Sequence, residues 1–115
     1  MIFPTREQSG VLVVAVSGRI DHVGSETFAA SLESLLKNCT VGQLPVLLDF
    51  SGVDYVSSAG LRVLMLASRR AKAQGGVFAI AALQPLVHEL FSISRFNLIM
   101  PCHSTTEAAI KAMGS

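Results

Sequence analysis

Short apolar runs recur along the chain, and three of them predict strands, the second and third of them buried. They are Val11–Val16, Leu44–Phe50 and Val77–Leu83, and each is bounded by Gly, Ser or Gln. Apolar runs of about four to eight residues with such boundaries are typical of strands buried on both faces. Ile2–Gln8 is expected to form an edge strand, paired with Val11–Val16 through a Ser9-Gly10 turn. Asn97–Cys102 is expected to form a last short strand.

Between these runs the apolar residues follow a helical repeat. From about Ser25 to Cys39 they fall on one face, opposite a polar face, and Leu61–Ala73 shows the same repeat. Basic residues occupy the last turns of the second segment, where the helix dipole favours cations, and Gly75-Gly76 is expected to end it.

Two shorter helices are predicted in the last third of the chain. Pro85 opens the first, with Leu86, Leu90 and Phe91 inward, because proline is favoured in the first turn of a helix. The second is expected to begin at a Ser104-x-x-Glu107 capping box and to continue through Met113.

Strands and helices that alternate in this way predict an α/β fold. The expected structure is a mixed, mostly parallel sheet of about four to five strands, flanked by about four helices, with right-handed crossovers. The 115 residues are enough for one domain, 1–115, around one core.

Composition narrows the possible functions. Half of the residues are apolar, only 15% are charged and the formal net charge is +1, so disorder and nucleic-acid binding have little support. The apolar runs are far shorter than the about 20 residues of a membrane-spanning helix, and Met1–Gly10 does not resemble a signal peptide, so a cytoplasmic location without membrane insertion is expected. The two cysteines, Cys39 and Cys102, are expected to be small buried or half-buried residues, with a disulfide or redox role as the alternative.

The most informative segment is Leu48–Leu61. A buried strand is expected to end at Asp49-Phe50, followed by a polar turn, Ser51–Asp54, and by Ser57-Ser58 at the start of a helix. Functional sites of open α/β sheets favour the carboxyl ends of strands. On general physical grounds the two serines are helix caps, one of them facing water. No nucleophile elbow, phosphate loop or dinucleotide fingerprint is present.

This segment resembles the signature of the STAS domain in anti-sigma factor antagonists of the SpoIIAA/RsbV type. The signature runs roughly Asp-x-Ser-x-Val/Leu-x-Phe/Tyr-Met/Ile/Val-Asp-Ser-Ser/Thr-Gly-Leu, and Asp49, Ser51, Val53, Tyr55, Val56, Ser58, Gly60 and Leu61 match it in register. Gly18–Asp21 resembles the family's Gly-x-Leu/Ile-Asp exit from its second strand. Ser57 and Ala59 depart from the usual Asp and Ser/Thr, which bears on recognition by a kinase.

The resemblance implies a STAS (SpoIIAA-like) fold and a phosphorylation switch rather than an enzyme. The unmodified protein would bind an anti-sigma factor that is also a GHKL-type serine kinase, and so release the sigma factor. Phosphorylation at Ser58 would end the complex, and a PP2C-type phosphatase would reset it. No cofactor, metal or direct nucleic-acid contact is implied. The expected partner-binding residues are Asp21, His22, Asp54, Tyr55, Ser57, Ser58, Ala59, Gly60 and Arg62.

Several alternatives remain open at this stage. The domain could be an adaptor subunit of a lipid-transport or signalling assembly that does not use Ser58, or a small-molecule or nucleotide sensor. Arg62 belongs either to a solvated helix face or to a contact with the partner or an ATP phosphate. Asp49 either caps the expected turn or positions the Ser58 loop. Asp54, expected near Ser58, argues against a ready phosphate receptor there.

The remaining polar residues carry little chemistry. His22, His88 and His103 are far apart in sequence and form no ligand set with metal-binding spacing, so surface positions are expected for them. No acid/base pair or nucleophile with a base can be named, which disfavours an enzyme.

Overall fold

A computed structural model describes residues 3–114. Its five strands form one sheet in the order of the chain, and four α-helices and one 3₁₀ helix complete it. The elements are β1 (Thr5–Gln8), β2 (Val11–Ile20), α1 (Ser25–Leu36), β3 (Val46–Val56), α2 (Ser58–Ala73), β4 (Phe78–Ala81), α3 (Pro85–Ile93), the 3₁₀ helix Phe96–Leu98, β5 (Cys102–His103) and α4 (Thr106–Met113).

Strand β1 runs antiparallel to β2, and the other neighbouring pairs are parallel. The predicted α/β fold with a mixed, mostly parallel sheet is therefore confirmed. The β1–β2 turn is also confirmed: Ser9 and Gly10 both adopt positive φ, 51° and 79°, as a two-residue hairpin of the favoured hand requires. Ile2, the predicted first residue of the edge strand, lies outside the described residues.

The two faces of the sheet are packed unequally. On β2–β4, alternate residues point to opposite faces, as the pleat requires. One face packs against α1, α2 and α3 and contains most of the core, including a chain of edge-to-face aromatic pairs from Phe3 through Phe28, Phe50 and Phe91 to Phe96. The other face packs against α4 through Ala109 and Ile110.

Strand β3 is longer than the sequence pattern predicted. The expected polar turn Ser51–Asp54 is wrong, because these residues continue the strand to Val56. The parallel strand β2 also continues to Ile20, and two register shifts between them accommodate the extra length. Gly52 permits this pairing, since a Cβ there would lie 3.0 Å from the Ser17 Cβ.

Other differences concern the ends of elements. Helix α1 ends at Leu36 rather than Cys39. In α3, Leu86 is half exposed, against the expectation, and Val87 takes the buried position beside Phe91.

The segment before α4 was also predicted wrongly in part. Most of the expected strand Asn97–Cys102 is the 3₁₀ helix and the turn after it, and β5 is only Cys102–His103. The N-cap of α4 is Thr105 rather than Ser104, because its side chain accepts the Ala108 N–H at 3.0 Å.

Candidate functional site

The start of helix α2 separates the roles of the two serines. Ser57 is the N-cap: its Oγ accepts the Gly60 N–H at 3.2 Å, and its own N–H donates to the Ile20 carbonyl at 2.8 Å. Ser58, the first residue of the helix, is exposed. One hydroxyl is therefore committed to the fold, while the other faces solvent at the carboxyl end of β3.

Gly60 allows this helix start to lie close to β2. A Cβ at Gly60 would lie 2.8 Å from the Ile20 Cγ2 and 2.9 Å from the Val56 Cγ1, which are closer than real Cβ contacts. Both of those side chains are buried. The glycine of the signature thus has a packing role, and it brings Ser58 next to the loop that follows β2.

That loop, between β2 and α1, is held by its own hydrogen bonds. Asp21 Oδ1 accepts the Gly24 N–H at 2.8 Å, and the Ser25 hydroxyl donates to the His22 carbonyl at 2.8 Å. The loop consequently presents two exposed side chains, His22 and Val23. The Asp21 carboxylate has a structural role in the same loop.

A surface concavity joins three segments that are distant in the chain. We call it the Ser58 concavity. His22 comes from the β2–α1 loop, five residues come from α2, and the rest come from the segment around the 3₁₀ helix; its lining is His22, Ser58, Ala59, Leu61, Arg62, Met65, Ser94, Phe96 and Ile99. Four of the predicted site residues, His22, Ser58, Ala59 and Arg62, are brought together here.

The other five predicted residues do not line the concavity: Asp21, Ser57 and Gly60, described above, and Asp54 and Tyr55. Asp54 is exposed on β3, and four steps of largely extended chain, roughly 13 Å, lead from it to Ser58. Tyr55 is half buried, and the Arg19 guanidinium carbon lies 4.3 Å from the centroid of its ring. Asp49 also stays away from Ser58: its carboxylate accepts the Ser51 N–H at 2.9 Å.

Sequence reasoning missed the apolar side of the concavity. Ile99 and Phe96 line it, and Ile99 is 46% exposed. Two more exposed apolar residues are neighbours of lining residues in the chain: Ile93 precedes Ser94, and Leu98 precedes Ile99. The signal was present in the sequence as an apolar run, Leu98–Met100, but the run was interpreted as part of a last short strand, Asn97–Cys102.

The ionisable groups with shifted pKa values lie elsewhere. Burial raises the pKa of the Cys102 thiol to about 11 and also raises that of Cys39, whose Sγ donates to the Val77 carbonyl at 3.4 Å. Both cysteines are free thiols. Among residues 3–114 there is no group of three or more side chains that could hold a metal ion, and no helix long and apolar enough to cross a membrane.

The chain belongs to the STAS domain family, whose sequence profile matches residues 3–109. BtrV of Bordetella bronchiseptica, a proposed anti-sigma factor antagonist, is 34% identical over 103 residues, which cover 90% of this chain and 86% of BtrV. The anti-sigma F factor antagonist of Paenibacillus polymyxa is 26% identical over 101 residues, 88% of this chain and 85% of that protein. The resemblance inferred from the signature is confirmed.

Solved structures show the same fold. A proposed anti-sigma factor antagonist from Thermotoga maritima superposes with a TM-score of 0.85 at 18% identity, over 98% of this chain and 95% of that one. Phosphorylated SpoIIAA, a cell fate determinant of Bacillus, gives a TM-score of 0.65 at 19% identity, over 96% of this chain and 97% of SpoIIAA. The SpoIIAA-like architecture is thereby confirmed.

Proposed function

We propose that this protein is an anti-sigma factor antagonist: it binds an anti-sigma factor through the Ser58 concavity and its apolar side. Binding would release the sigma factor, and phosphorylation of Ser58 would end the complex. In this proposal the partner is itself a GHKL-type serine kinase, and a PP2C-type phosphatase restores the unmodified form. The named relatives in the same family support the class of partner.

The observation that carries the proposal is the different environment of the two serines. A kinase needs a hydroxyl that it can reach, and Ser58 is exposed on the concavity while the Ser57 oxygen accepts the Gly60 N–H. A phosphate on Ser58 would lie at a helix N-terminus, where backbone N–H groups tolerate negative charge, so the fold can accept it. SpoIIAA, which has the same fold, has been solved in a phosphorylated form.

The surface properties fit a protein partner better than a small substrate. The concavity combines an exposed serine and arginine with half-buried and exposed apolar side chains, Met65 and Ile99. An apolar centre with a polar margin is typical of protein interfaces. A phosphate adds about −1.5 to −2 charges to this surface. That charge changes the interface without requiring a change of fold.

The test is phosphate transfer followed by binding. Each GHKL-type kinase encoded in the same genome is incubated with the protein and ATP, and the intact mass is measured. Wild type and Ser57→Ala should gain one phosphate, and Ser58→Ala should gain none. Ser57→Ala is the matched control, because it removes a hydroxyl one residue away and is expected to cost only about 1 kcal/mol of stability.

Binding separates the switch from a fixed adaptor. For the kinase found in this way, wild type and Ser58→Ala should bind equally well, and the phosphorylated protein should bind much more weakly. Ser58→Asp should show part of that loss, because a carboxylate carries less charge than a phosphate. A stable complex with equal affinity for all four forms would contradict the proposal and favour an adaptor role.

A further inference from the structure

Arg62 lies one helical turn beyond Ser58 on the same face of α2. Four residues advance a helix by about 6 Å and return it to nearly the same direction, so side chains at this spacing meet. The Cα–Cβ bonds of a helix tilt toward its N-terminus, which leans the longer Arg62 side chain back over the turn that contains Ser58. Both residues line the Ser58 concavity.

Arg62 also has no acidic neighbour along its own helix. Helix α2, Ser58–Ala73, contains no Asp or Glu. In the later turns of α2, Arg70 forms an ion pair with Glu33 of α1, at 3.6 Å. Arg62 is exposed, and within residues 3–114 no ion pair is recorded for it. Its guanidinium is therefore available for an anion on the concavity.

The other ionisable side chains around the concavity add no negative charge to it. His22 lines it from the β2–α1 loop, and Arg95 lies in the chain between two of its lining residues. The nearest acids in the chain do not line it: the Asp21 carboxylate accepts the Gly24 N–H, and Asp54 is on the extended part of β3. The sequence-based expectation that Asp54 opposes a phosphate here is not supported by this placement.

We propose that Arg62 is the intramolecular receptor of a phosphate on Ser58. This inference rests on the proposed function, since it assumes that Ser58 carries the phosphate. In the unmodified protein Arg62 is free to meet an acidic group of the partner. After phosphorylation the guanidinium pairs with the phosphate of its own chain, so one modification adds negative charge to the interface and also withdraws Arg62 from the partner. The switch then depends on capture of Arg62 as well as on repulsion.

The experiment avoids the kinase altogether. Phosphoserine is incorporated at position 58 during translation by an expanded genetic code, and the phosphorus NMR shift of the full chain is followed against pH. A nearby guanidinium favours the dianion and lowers the midpoint. Arg62→Gln should raise the midpoint by about 0.15–0.4 pH unit, the size expected for one such helical pair. Arg62→Lys should lie between, since it keeps the charge but loses the forked donors.

The matched control is Arg69→Gln. Arg69 is also exposed on α2, but about 16 Å further along the helix axis from Ser58, so its removal should leave the midpoint unchanged. Equal midpoints for Arg62→Gln and the parent, with the unmodified variant melting normally, would overturn the receptor role. A raised midpoint in a protein that no kinase modifies would keep the receptor and reject the proposed function. Phosphorylation of Ser58 by a kinase, with equal midpoints for Arg62→Gln and the parent, would keep the proposed function and reject the receptor role.

Discussion

Gly60 lies where helix α2 passes the end of β2, and there is no room beside it for a side chain. In Gly60→Ala the new methyl group would meet the buried Ile20 and Val56 side chains. Overpacking of this kind costs about 1–3 kcal/mol, and the better helix propensity of alanine returns up to about 1 kcal/mol. We therefore expect the free energy of unfolding in urea to fall by about 1–2 kcal/mol.

A second variant identifies the cause of that loss. Val56→Ala removes the Cγ1 atom that would lie 2.9 Å from the new Cβ. Combined with Gly60→Ala, it should cost less than the sum of the two single changes, because residues in contact do not act independently. Ser58→Ala, an exposed change in the same turn, should leave the unfolding midpoint unaltered. Strict additivity of the double variant would contradict the packing role.

Cys102 offers a test at a single ionisable group. Burial raises the pKa of its thiol from 9.0 to about 11, and only the thiolate reacts with alkylating agents. At pH 8 the thiolate fraction should be roughly a hundredfold smaller than that of an unperturbed thiol. Iodoacetamide should label the folded protein slowly, as measured by intact mass, and should label both cysteines rapidly in urea. Rapid labelling of the folded protein would refute the burial argument.

The raised pKa of Cys102 also makes the stability of the folded protein depend on pH. Because the folded state holds the thiol proton more tightly, the unfolded state ionises first. The contribution of Cys102 to stability is fully present below about pH 9 and is lost as the pH rises toward about 11. Cys102→Ala should weaken this alkaline dependence of the unfolding midpoint, whereas an unchanged dependence would assign it to other groups.

Single residues also show where sequence reasoning ends. The motif aligned Ser58 with the acceptor position, but the pattern left either serine as the N-cap. The choice depends on the Gly60 N–H and the Ile20 carbonyl, which both bond to Ser57. Atoms of two different elements thus determine which serine is the N-cap, and the helix propensity of the local sequence does not reflect them.

Among the elements, β3 shows how tertiary pairing overrides a local pattern. Ser51, Gly52 and Asp54 are typical of a turn, and a turn was predicted. They form a strand because β2 continues beside them and pairs with them in parallel register. Val53 and Val56 bury their side chains along this extension. The elements with a strong helical repeat, α1 and α2, were by contrast predicted in type and approximate length.

The Gln74 side chain connects the end of α2 to the end of α1 through hydrogen bonds. Its Nε2 donates to the Leu36 and Cys39 carbonyls, both at 2.9 Å, and its Oε1 accepts from Arg70 Nε at 3.1 Å. Gln74→Leu would remove the donor from two carbonyls at the end of α1. The Leu36 carbonyl would keep the Cys39 N–H at 3.1 Å, but the Cys39 carbonyl would lose its donor. Leaving one partly buried group without a partner costs about 1–3 kcal/mol, so we expect a loss of that order in urea unfolding.

The control for Gln74 is an exposed glutamine in the neighbouring loop. Gln43→Leu removes a side chain that faces solvent and should change the free energy of unfolding by less than about 0.5 kcal/mol. If Gln74→Leu and Gln43→Leu were equally stable, the hydrogen bonds of Gln74 would contribute nothing to the free energy of unfolding. The end of α1 would then be held by apolar packing alone.

Across the whole molecule, the Ser58 concavity was only half predictable. Ser58 belongs to the motif, Arg62 directly follows it, and His22 follows the second motif of the family resemblance. Ile99 comes from the segment that was predicted to be a strand, and Phe96 directly precedes that segment. Both join the site because the 3₁₀ helix and the residues around it lie beside the first turns of α2. A surface made by distant segments requires the packing of the core to be known.

That apolar side gives a prediction for binding by the whole protein. Ile99→Asp places a charge on the concavity, where partner contacts would have to bury it, so affinity for the anti-sigma factor should fall at least tenfold, about 1.4 kcal/mol. Leu86→Asp is the matched control: Leu86 is 51% exposed, close to the 46% of Ile99, but does not line the concavity. It should leave affinity unchanged, with both variants checked for normal melting. Equal affinity for the two variants, measured by titration calorimetry, would exclude Ile99 from the interface and confine binding to the region around Ser58 and Arg62.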